Sequence, residues 1–281
     1  MKRANKVKKE TEEKIEITQK MWVETMTLVF DKKACISCDL CRQACPKEAI
    51  SLRVEGGRAL PCIDENLCSM CGMCATFCPV LAVRLTLTNS LRGTQEEVKP
   101  ILDVGGVPHF SKGMNLDNSH CPDGCDLCVK ACPREALSFG DSGLELDRSR
   151  CLSCAHCEDA CPVPEAIHVT RLFEGQVVVD TEKCPPGCDL CVSACPTRSF
   201  KALEKGVEVD SRHCICCGAC IIACPYGAID LRRMKLRSEG DGYSAVWARA
   251  LDRLLSESER FLEHNEGSFA RLVDLLKSSR L

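Results

Sequence analysis

Residues 184–196 read CPPGCDLCVSACP, four cysteines in twelve positions closed by a proline. Five relatives of this stretch occur in the same chain. They comprise Cys35, Cys38, Cys41, Cys45 before Pro46; Cys68, Cys71, Cys74, Cys78 before Pro79; Cys121, Cys125, Cys128, Cys132 before Pro133; Cys151, Cys154, Cys157, Cys161 before Pro162; and Cys214, Cys217, Cys220, Cys224 before Pro225. The third and fifth copies carry one extra residue between their first two cysteines, as CPDGC and CPPGC. Four residues ahead of each copy stands an aspartate after an apolar residue: Asp31, Asp64, Asp117, Asp147, Asp180 and Asp210. Such a pattern predicts a short strand ending in an Asp that caps a turn with its own side chain. After each Cys-Pro comes a small-then-apolar pair, as in Ala49-Ile50, Ala136-Leu137 and Ala228-Ile229. The unit is therefore strand, cysteine loop, helical turn, strand.

The repeat is itself repeated. Cys121 to Cys184 and Cys151 to Cys214 are the same interval of 63 residues, and LELD at 144–147 recurs as VEVD at 207–210. Copies three and four thus make one module, copies five and six duplicate it, and copies one and two make another. The expected class is α+β, with small hairpins and short helical turns. The expected division is a charged extension over 1–23, modules over 24–90, 116–172 and 173–232, and a tail over 233–281. A Gly- and Pro-bearing linker is placed at 91–115. MKRANKVKKETEE at the start reads as a solvated terminus.

The chain has 281 residues, a net charge of −3, 4% aromatic residues and 26 cysteines. Cysteine content this high suits a disulfide scaffold in a short secreted chain. The N-terminal stretch has no apolar core of a secretory signal, however, so a cytosolic location is expected and disulfides are disfavoured. No apolar run reaches the eighteen residues that a membrane-spanning helix needs. Thiolates with only two or three residues between them on one loop suit a shared metal centre. Zinc sites usually take two C-x2-C knuckles a dozen or more residues apart. Here a third cysteine follows at once and a fourth lies four residues beyond it, the spacing of an iron–sulfur loop whose fourth thiolate reaches a neighbouring cluster.

At this point the chain resembles the bacterial-type two-cluster ferredoxins, tandemly repeated as a polyferredoxin. The resemblance implies six [4Fe-4S] clusters with ligands exchanged inside each module. The first module would bind one cluster through Cys35, Cys38, Cys41 and Cys78, and another through Cys68, Cys71, Cys74 and Cys45. The second would use Cys121, Cys125, Cys128 and Cys161, then Cys151, Cys154, Cys157 and Cys132. The third would use Cys184, Cys188, Cys191 and Cys224, then Cys214, Cys217, Cys220 and Cys195. Cys62, on the strand LPCID, and Cys216, inside CICC, are left as non-ligands. Clusters take the place of side-chain core in modules this small, so the iron-free chain is expected to be unfolded.

Fully thiolate-ligated iron offers no open position, and no P-loop, Rossmann fingerprint or His/Ser/Asp constellation stands elsewhere. The expected role is electron transfer with no catalytic residue. His120, His156 and His213, beside or within cluster loops, are candidates for hydrogen bonds to sulfur or plain surface residues. In the tail, Val246, Ala250, Leu251, Leu254 and Leu255 fall at helical spacing, and Phe269, Leu272, Val273 and Leu276 repeat the pattern after Gly267. That helix either covers the protein's own modules or binds a partner with Trp247 as anchor.

Finer features, WVETMTLVFDKKACISCDLCRQACPKEAISL at 22–52, VPHF at 107–110 and the Trp-bearing tail, look most like the polyferredoxin subunit of formylmethanofuran dehydrogenase. That likeness implies an archaeal energy-metabolism complex of methanogenesis. Its partners would be tungsten- or molybdenum-pterin subunits at one end and heterodisulfide reductase, hydrogenase or formate dehydrogenase at the other. A hydrogenase-associated wire and an independent electron store stand as alternatives. Nothing in the charge distribution implies nucleic acid.

Overall fold

A computed structural model of the chain describes residues 6–89, 94–97, 109–110, 112–140, 143–239 and 244–255. They form two compact units, one holding the described residues up to 97 together with 244–254, the other those from 109 to 239. Both are α+β, made of antiparallel strand pairs and helical turns of four or five residues, with one longer C-terminal helix. Among the described residues no helix is long and apolar enough to cross a membrane.

The first unit opens with β1 (Lys6–Glu10), β2 (Lys14–Lys20) and β3 (Glu24–Asp31), followed by α1 (Leu40–Gln43) and the hairpin β4 (Ile50–Glu55) and β5 (Arg58–Ile63). Then come α2 (Met73–Phe77), β6 (Val83–Asn89) and β7 (Thr94–Glu97). The sheet order is β1-β2-β3-β6-β7, with β4-β5 separate. The solvated terminus expected from MKRANKVKKETEE is corrected here, since Lys6–Glu10 and Lys14–Lys20 are two strands of this sheet. KIEITQK alternates apolar and polar residues, which is the period of a half-buried strand. Ile15 and Ile17 oppose Phe30 and Leu28 across β2 and β3, and both isoleucines are fully buried. Each such burial contributes about 1.5–3 kcal/mol. Abundant Lys and Glu concealed that alternation in the composition. Those charges are used locally: Lys32, itself buried, pairs with Glu10 at 3.1 Å and Glu55 at 3.3 Å.

The second unit runs β8 (His109–Phe110), β9 (Gly113–Leu116), α3 (Leu127–Ala131), β10 (Leu137–Gly140), β11 (Gly143–Leu146), α4 (His156–Ala160) and β12 (Ile167–Thr170). It continues through β13 (Phe173–Val179), α5 (Leu190–Ala194), β14 (Phe200–Ala202), β15 (Val207–Val209), α6 (Ala219–Ala223), β16 (Ile229–Leu236) and β17 (Ser238–Glu239). The pairs are β9-β12 and β10-β11, then β13-β16 and β14-β15, the same arrangement twice. Both expected modules, 116–172 and 173–232, therefore lie in one unit. Of the expected linker, β7 pairs with β6 and β8 with β17, while 98–108 lies outside the described residues.

All six aspartates act as the sequence suggests. Asp31 Oδ1 accepts from the backbone N–H of Lys33 at 2.8 Å, Asp64 from Asn66 at 2.8 Å and Asp117 from Ser119 at 2.9 Å. Asp147, Asp180 and Asp210 accept from Ser149, Glu182 and Arg212 at 2.8, 3.1 and 3.0 Å. Each turn stops a strand and starts a cysteine loop.

The C-terminal helix α7 (Ala245–Leu254) belongs to the first unit. It buries Trp247, Ala250, Leu251 and Leu254, with the Trp247 and Phe77 ring centroids 6.4 Å apart. Arg253 donates to the Cys45 carbonyl at 2.8 Å and to Glu48 at 2.9 Å. Of the two readings of this helix, the one that covers the protein's own first module holds. Trp247 is core, not an anchor for a partner. The second apolar stretch, Phe269 to Leu276, lies outside the described residues.

Candidate metal centres

Strand pairing explains how cysteines far apart in sequence meet. The strand that leads into one copy pairs with the strand that leaves the other copy of its module. Asp31 N–H donates to the Ala82 carbonyl at 2.7 Å, and Asp64 N–H to Ala49 at 2.8 Å. The later modules repeat this, with Asp117 to Ala166, Asp147 to Ala136 and Asp210 to Ser199 at 2.8 Å, and Asp180 to Ala228 at 2.7 Å. Each exit strand begins just after a Cys-Pro, so each pairing delivers a fourth cysteine to the other copy's loop.

Three four-thiol cavities result. Cys35, Cys38, Cys41 and Cys78 line one of about 360 Å³ including its open mouth, with Phe30, Leu52 and Val80 in the wall. Cys45, Cys68, Cys71 and Cys74 line another of about 370 Å³, and Cys121, Cys125, Cys128 and Cys161 a third of about 350 Å³. The other expected sets are also brought together, since neighbouring thiols help push up one member of each: Cys154, Cys151 and Cys132 act on Cys157, Cys188 and Cys224 on Cys184, and Cys217, Cys214 and Cys195 on Cys220. Among the described residues no three His, Cys, Asp or Glu side chains converge closely enough to hold a single metal ion. The thiols surround a volume instead of a point.

Backbone geometry at each loop follows from the local sequence. Left-handed residues stand at Ser37, Met70 and Cys216, with φ of 57°, 57° and 53°. There the chain aims its N–H groups at the first sulfur of the copy, Cys35, Cys68 and Cys214, at 3.4, 3.5 and 3.4 Å. In the longer loops a glycine takes the left-handed position, Gly124 at 72° and Gly187 at 76°. Glycine adopts that conformation without a Cβ penalty, so the extra residue of CPDGC is absorbed and Cys121 stays with its set. At the other end, Ala49, Ala82, Ala136 and Ser199 donate to the fourth sulfurs Cys45, Cys78, Cys132 and Cys195 at 3.2–3.3 Å. Copy four departs. CPVPEAI has one residue more before its alanine, and Cys161 Sγ lies 3.5 Å from the Val163 carbonyl.

Burial pushes Cys157 and Cys217 up to about 12 and Cys191 up to about 11, with neighbouring thiols adding to the effect. Cys214 moves the other way, to about 7, because the Cys216 thiol hydrogen-bonds to it. Four thiolates crowded into such a cavity need a cationic centre among them. Soft sulfur donors, amide N–H groups aimed at sulfur and a largely apolar wall fit an iron–sulfur cluster.

None of the three candidate histidines bonds a sulfur. His120 Nδ1 meets Ser119 Oγ at 2.8 Å, His156 meets the Thr197 carbonyl at 2.7 Å, and His213 meets the Cys154 carbonyl at 3.3 Å. Cys62 sits half-buried on β5 opposite Ser51. Cys216 packs against β13 at Gly175, where a side chain would collide with the Arg232 carbonyl and lie 3.0 Å from Cys216 Sγ. Sequence reasoning missed a set of cations that donate to loop carbonyls: Arg58 to Cys35, Lys6 to Cys68, and Arg233 to Cys216 at 2.7 Å and Cys217 at 3.1 Å. No local spacing links these residues to their loops, so only the fold reveals them.

The 4Fe-4S dicluster domain family matches residues 6–82 and 120–166, and a second dicluster family matches 176–225. A subunit of an ion-translocating oxidoreductase complex from Methanosarcina acetivorans is 31% identical over 158 residues, 50% of this chain and 60% of that protein. The polyferredoxin-like subunit of an aliphatic sulfonate oxidoreductase from Pyrococcus furiosus is 41% identical over 88 residues, 27% of this chain and 50% of that protein. The chain thus spans half to three fifths of the length of these curated relatives. Among solved structures, a chain of the formate dehydrogenase–heterodisulfide reductase–formylmethanofuran dehydrogenase complex from Methanospirillum hungatei superposes with a TM-score of 0.75 and 28% identity. That likeness covers 90% of this chain and 92% of the other.

Proposed function

We propose that this chain, built of ferredoxin-type 4Fe-4S dicluster domains, is an electron wire in an oxidoreductase complex and carries low-potential electrons to a tungsten- or molybdenum-pterin site of formylmethanofuran dehydrogenase. Its likeness over nine tenths of its length to a chain of the Methanospirillum complex is the observation that carries this reading. Six [4Fe-4S] clusters are assigned to the 24 cysteines of the six motifs, in the exchanged sets expected from the sequence; Cys62 and Cys216 stay outside them. A four-iron cluster, when bound, supplies one-electron transfer at a potential set by charge, hydrogen bonds to sulfur and solvent exposure.

This chain's own residues do the rest. Exchanged fourth cysteines tie the two halves of each module around a pair of sites. Amide N–H groups of Ser37, Met70, Ala49, Ala82 and their counterparts place positive dipole at the sulfurs, which favours the electron-rich state. Arg58, Lys6 and Arg233 add positive charge at the loop carbonyls. Apolar walls such as Phe30, Leu52 and Val80 keep water from one face of the first cavity. Iron ligated by four thiolates offers no open position to a substrate, so the chain is assigned no catalysis of its own. At its far end heterodisulfide reductase or formate dehydrogenase would supply the electrons.

Similarity to the Methanosarcina ion-translocating complex favours one second reading, in which the wire ends at an ion pump. Anoxic isolation of the chain with its native partners decides between them. Tungsten or molybdenum with a pterin subunit supports the first reading, and a membrane-embedded partner without pterin supports the second. A nickel-bearing partner, or a chain that comes alone, removes both.

A further inference from the structure

Within the second unit, two histidines from different modules are stacked. His156 and His213 have ring centroids 3.7 Å apart and planes inclined by 17°. Each stands one residue from a cysteine of its own site, His156 before Cys157 and His213 before Cys214. Each also hydrogen-bonds the backbone of the other site. His156 Nε2 donates to the Thr197 carbonyl at 2.7 Å, and the Thr197 hydroxyl lies 3.4 Å from Cys195 Sγ. His213 Nδ1 donates to the Cys154 carbonyl at 3.3 Å. A carbonyl can only accept, so both ring nitrogens carry their protons and both rings are held in orientation.

The surroundings lock this pair in place. His213 is 7% exposed and Thr197 is 1% exposed. Asp159, on the same helix as His156, lies 3.5 Å from His213 Nε2 and 3.6 Å from Arg212, while Asp210 lies 3.8 Å from His213. The copy-four loop and the copy-six loop are thus clasped by reciprocal contacts with two aromatic rings between them.

We infer that electrons cross between the second and third modules here, through the His156–His213 stack, from the site of Cys132, Cys151, Cys154 and Cys157 to that of Cys195, Cys214, Cys217 and Cys220, or in reverse. The inference rests on the cluster assignment proposed above. One electron leaves one site as it enters the other, with no bond made or broken and no proton transferred. Tunnelling weakens exponentially with distance and is weaker across a void than through packed atoms, so a dense stack between two loops is the preferred crossing. Ligand exchange already couples the two sites inside each module. The route through this unit therefore runs Cys121 site, Cys151 site, Cys214 site, Cys184 site, and not in sequence order.

The test uses the full chain reconstituted anoxically, with iron and acid-labile sulfide counted first and two readouts taken afterwards. One is magnetic interaction between reduced sites by electron paramagnetic resonance. The other is electron equilibration within the chain after flash photoreduction. His156→Ala should keep its iron and sulfide yet slow equilibration about tenfold, equivalent to about 1.4 kcal/mol on the barrier. His156→Phe keeps a ring in the stack and should stay near the parent rate. An alanine variant with full iron and the parent rate overturns the inference, as does a phenylalanine variant with full iron that is slowed as much as alanine. If the alanine variant loses iron, the phenylalanine variant decides on the same criterion. A parent chain that binds zinc in place of iron and sulfide overturns the cluster assignment itself, which the iron and sulfide count reveals before any rate is measured.

Discussion

The backbone N–H of Asp31 donates to the carbonyl of Ala82 at 2.7 Å, and this bond fixes the strand that brings Cys78 to the cavity of Cys35, Cys38 and Cys41. The same bond, in five further versions, holds the rest of the repeat together. Each module is thus closed by two reciprocal strand pairs, and the exchanged cysteines follow from those pairs.

Cysteines that share a cavity should fail together. Cys35→Ala and Cys78→Ala should each remove one cluster, about four of about 24 irons, and the double variant should remove the same one. Iron and sulfide counts with paramagnetic resonance of the reduced chain check this. A double variant that loses two clusters would place Cys35 and Cys78 at different sites.

Ile17 is fully buried in the sheet that the N-terminal hairpin extends. Ile17→Ala should cost about 2–5 kcal/mol, read as a lower denaturant midpoint for bleaching of the first module's clusters. If residues 6–20 were only a solvated extension, the midpoint would not move.

Trp247 links α7 to the first module through Phe77. Trp247→Ala should cost about 3–5 kcal/mol in that unit and leave the iron sites of the second unit unchanged. Denaturation followed by site-resolved paramagnetic signals tests this. Loss confined to partner binding, with stability intact, would restore the anchor reading.

The Asp210 carboxyl is held down at about 2, first by the hydrogen bond from the Arg212 side chain and also by the Arg212 N–H. A depressed carboxyl contributes stability that is complete above its unfolded pKa of about 3.9 and is lost as pH falls toward 2. Asp210→Asn keeps an oxygen to accept the Arg212 N–H but loses the charge paired with the Arg212 side chain, so it should carry a constant penalty of at most about 1 kcal/mol, that of an exposed ion pair, from pH 8 to pH 5. That penalty should shrink below about pH 4. Denaturant midpoints of variant and parent across this range supply the test, and a penalty that persists at the acid end would remove the charged cap from the account.

The cysteine loops were legible because their grouping is local. Three cysteines of each site lie within eight residues of one another, and the Asp before each loop caps a turn through its nearest neighbours. The N-terminal hairpin was concealed by its charges, since Ile15 and Ile17 are the only apolar residues that mark its buried face along KIEITQK. Helix α7 showed its apolar stripe plainly, but an amphipathic stripe carries no address; only contact with Phe77 and Cys45 assigns it to the first module. Long-range partners such as Arg58, Arg233 and the stacked His156 and His213 were invisible because no spacing rule connects them. Sequence left those histidines either as donors to sulfur or as plain surface residues, and the fold directs them to carbonyls.

The central claim is that six exchanged thiolate sets each bind a four-iron cluster and pass one electron. Stoichiometric reductive titration of the anoxic chain, with iron and sulfide counted on the same sample, tests it most directly. The account predicts about 24 irons, about 24 sulfides and about six electrons accepted per chain. Redox-silent zinc at these cysteines, or an electron count that stays near one when iron is saturating, would contradict it.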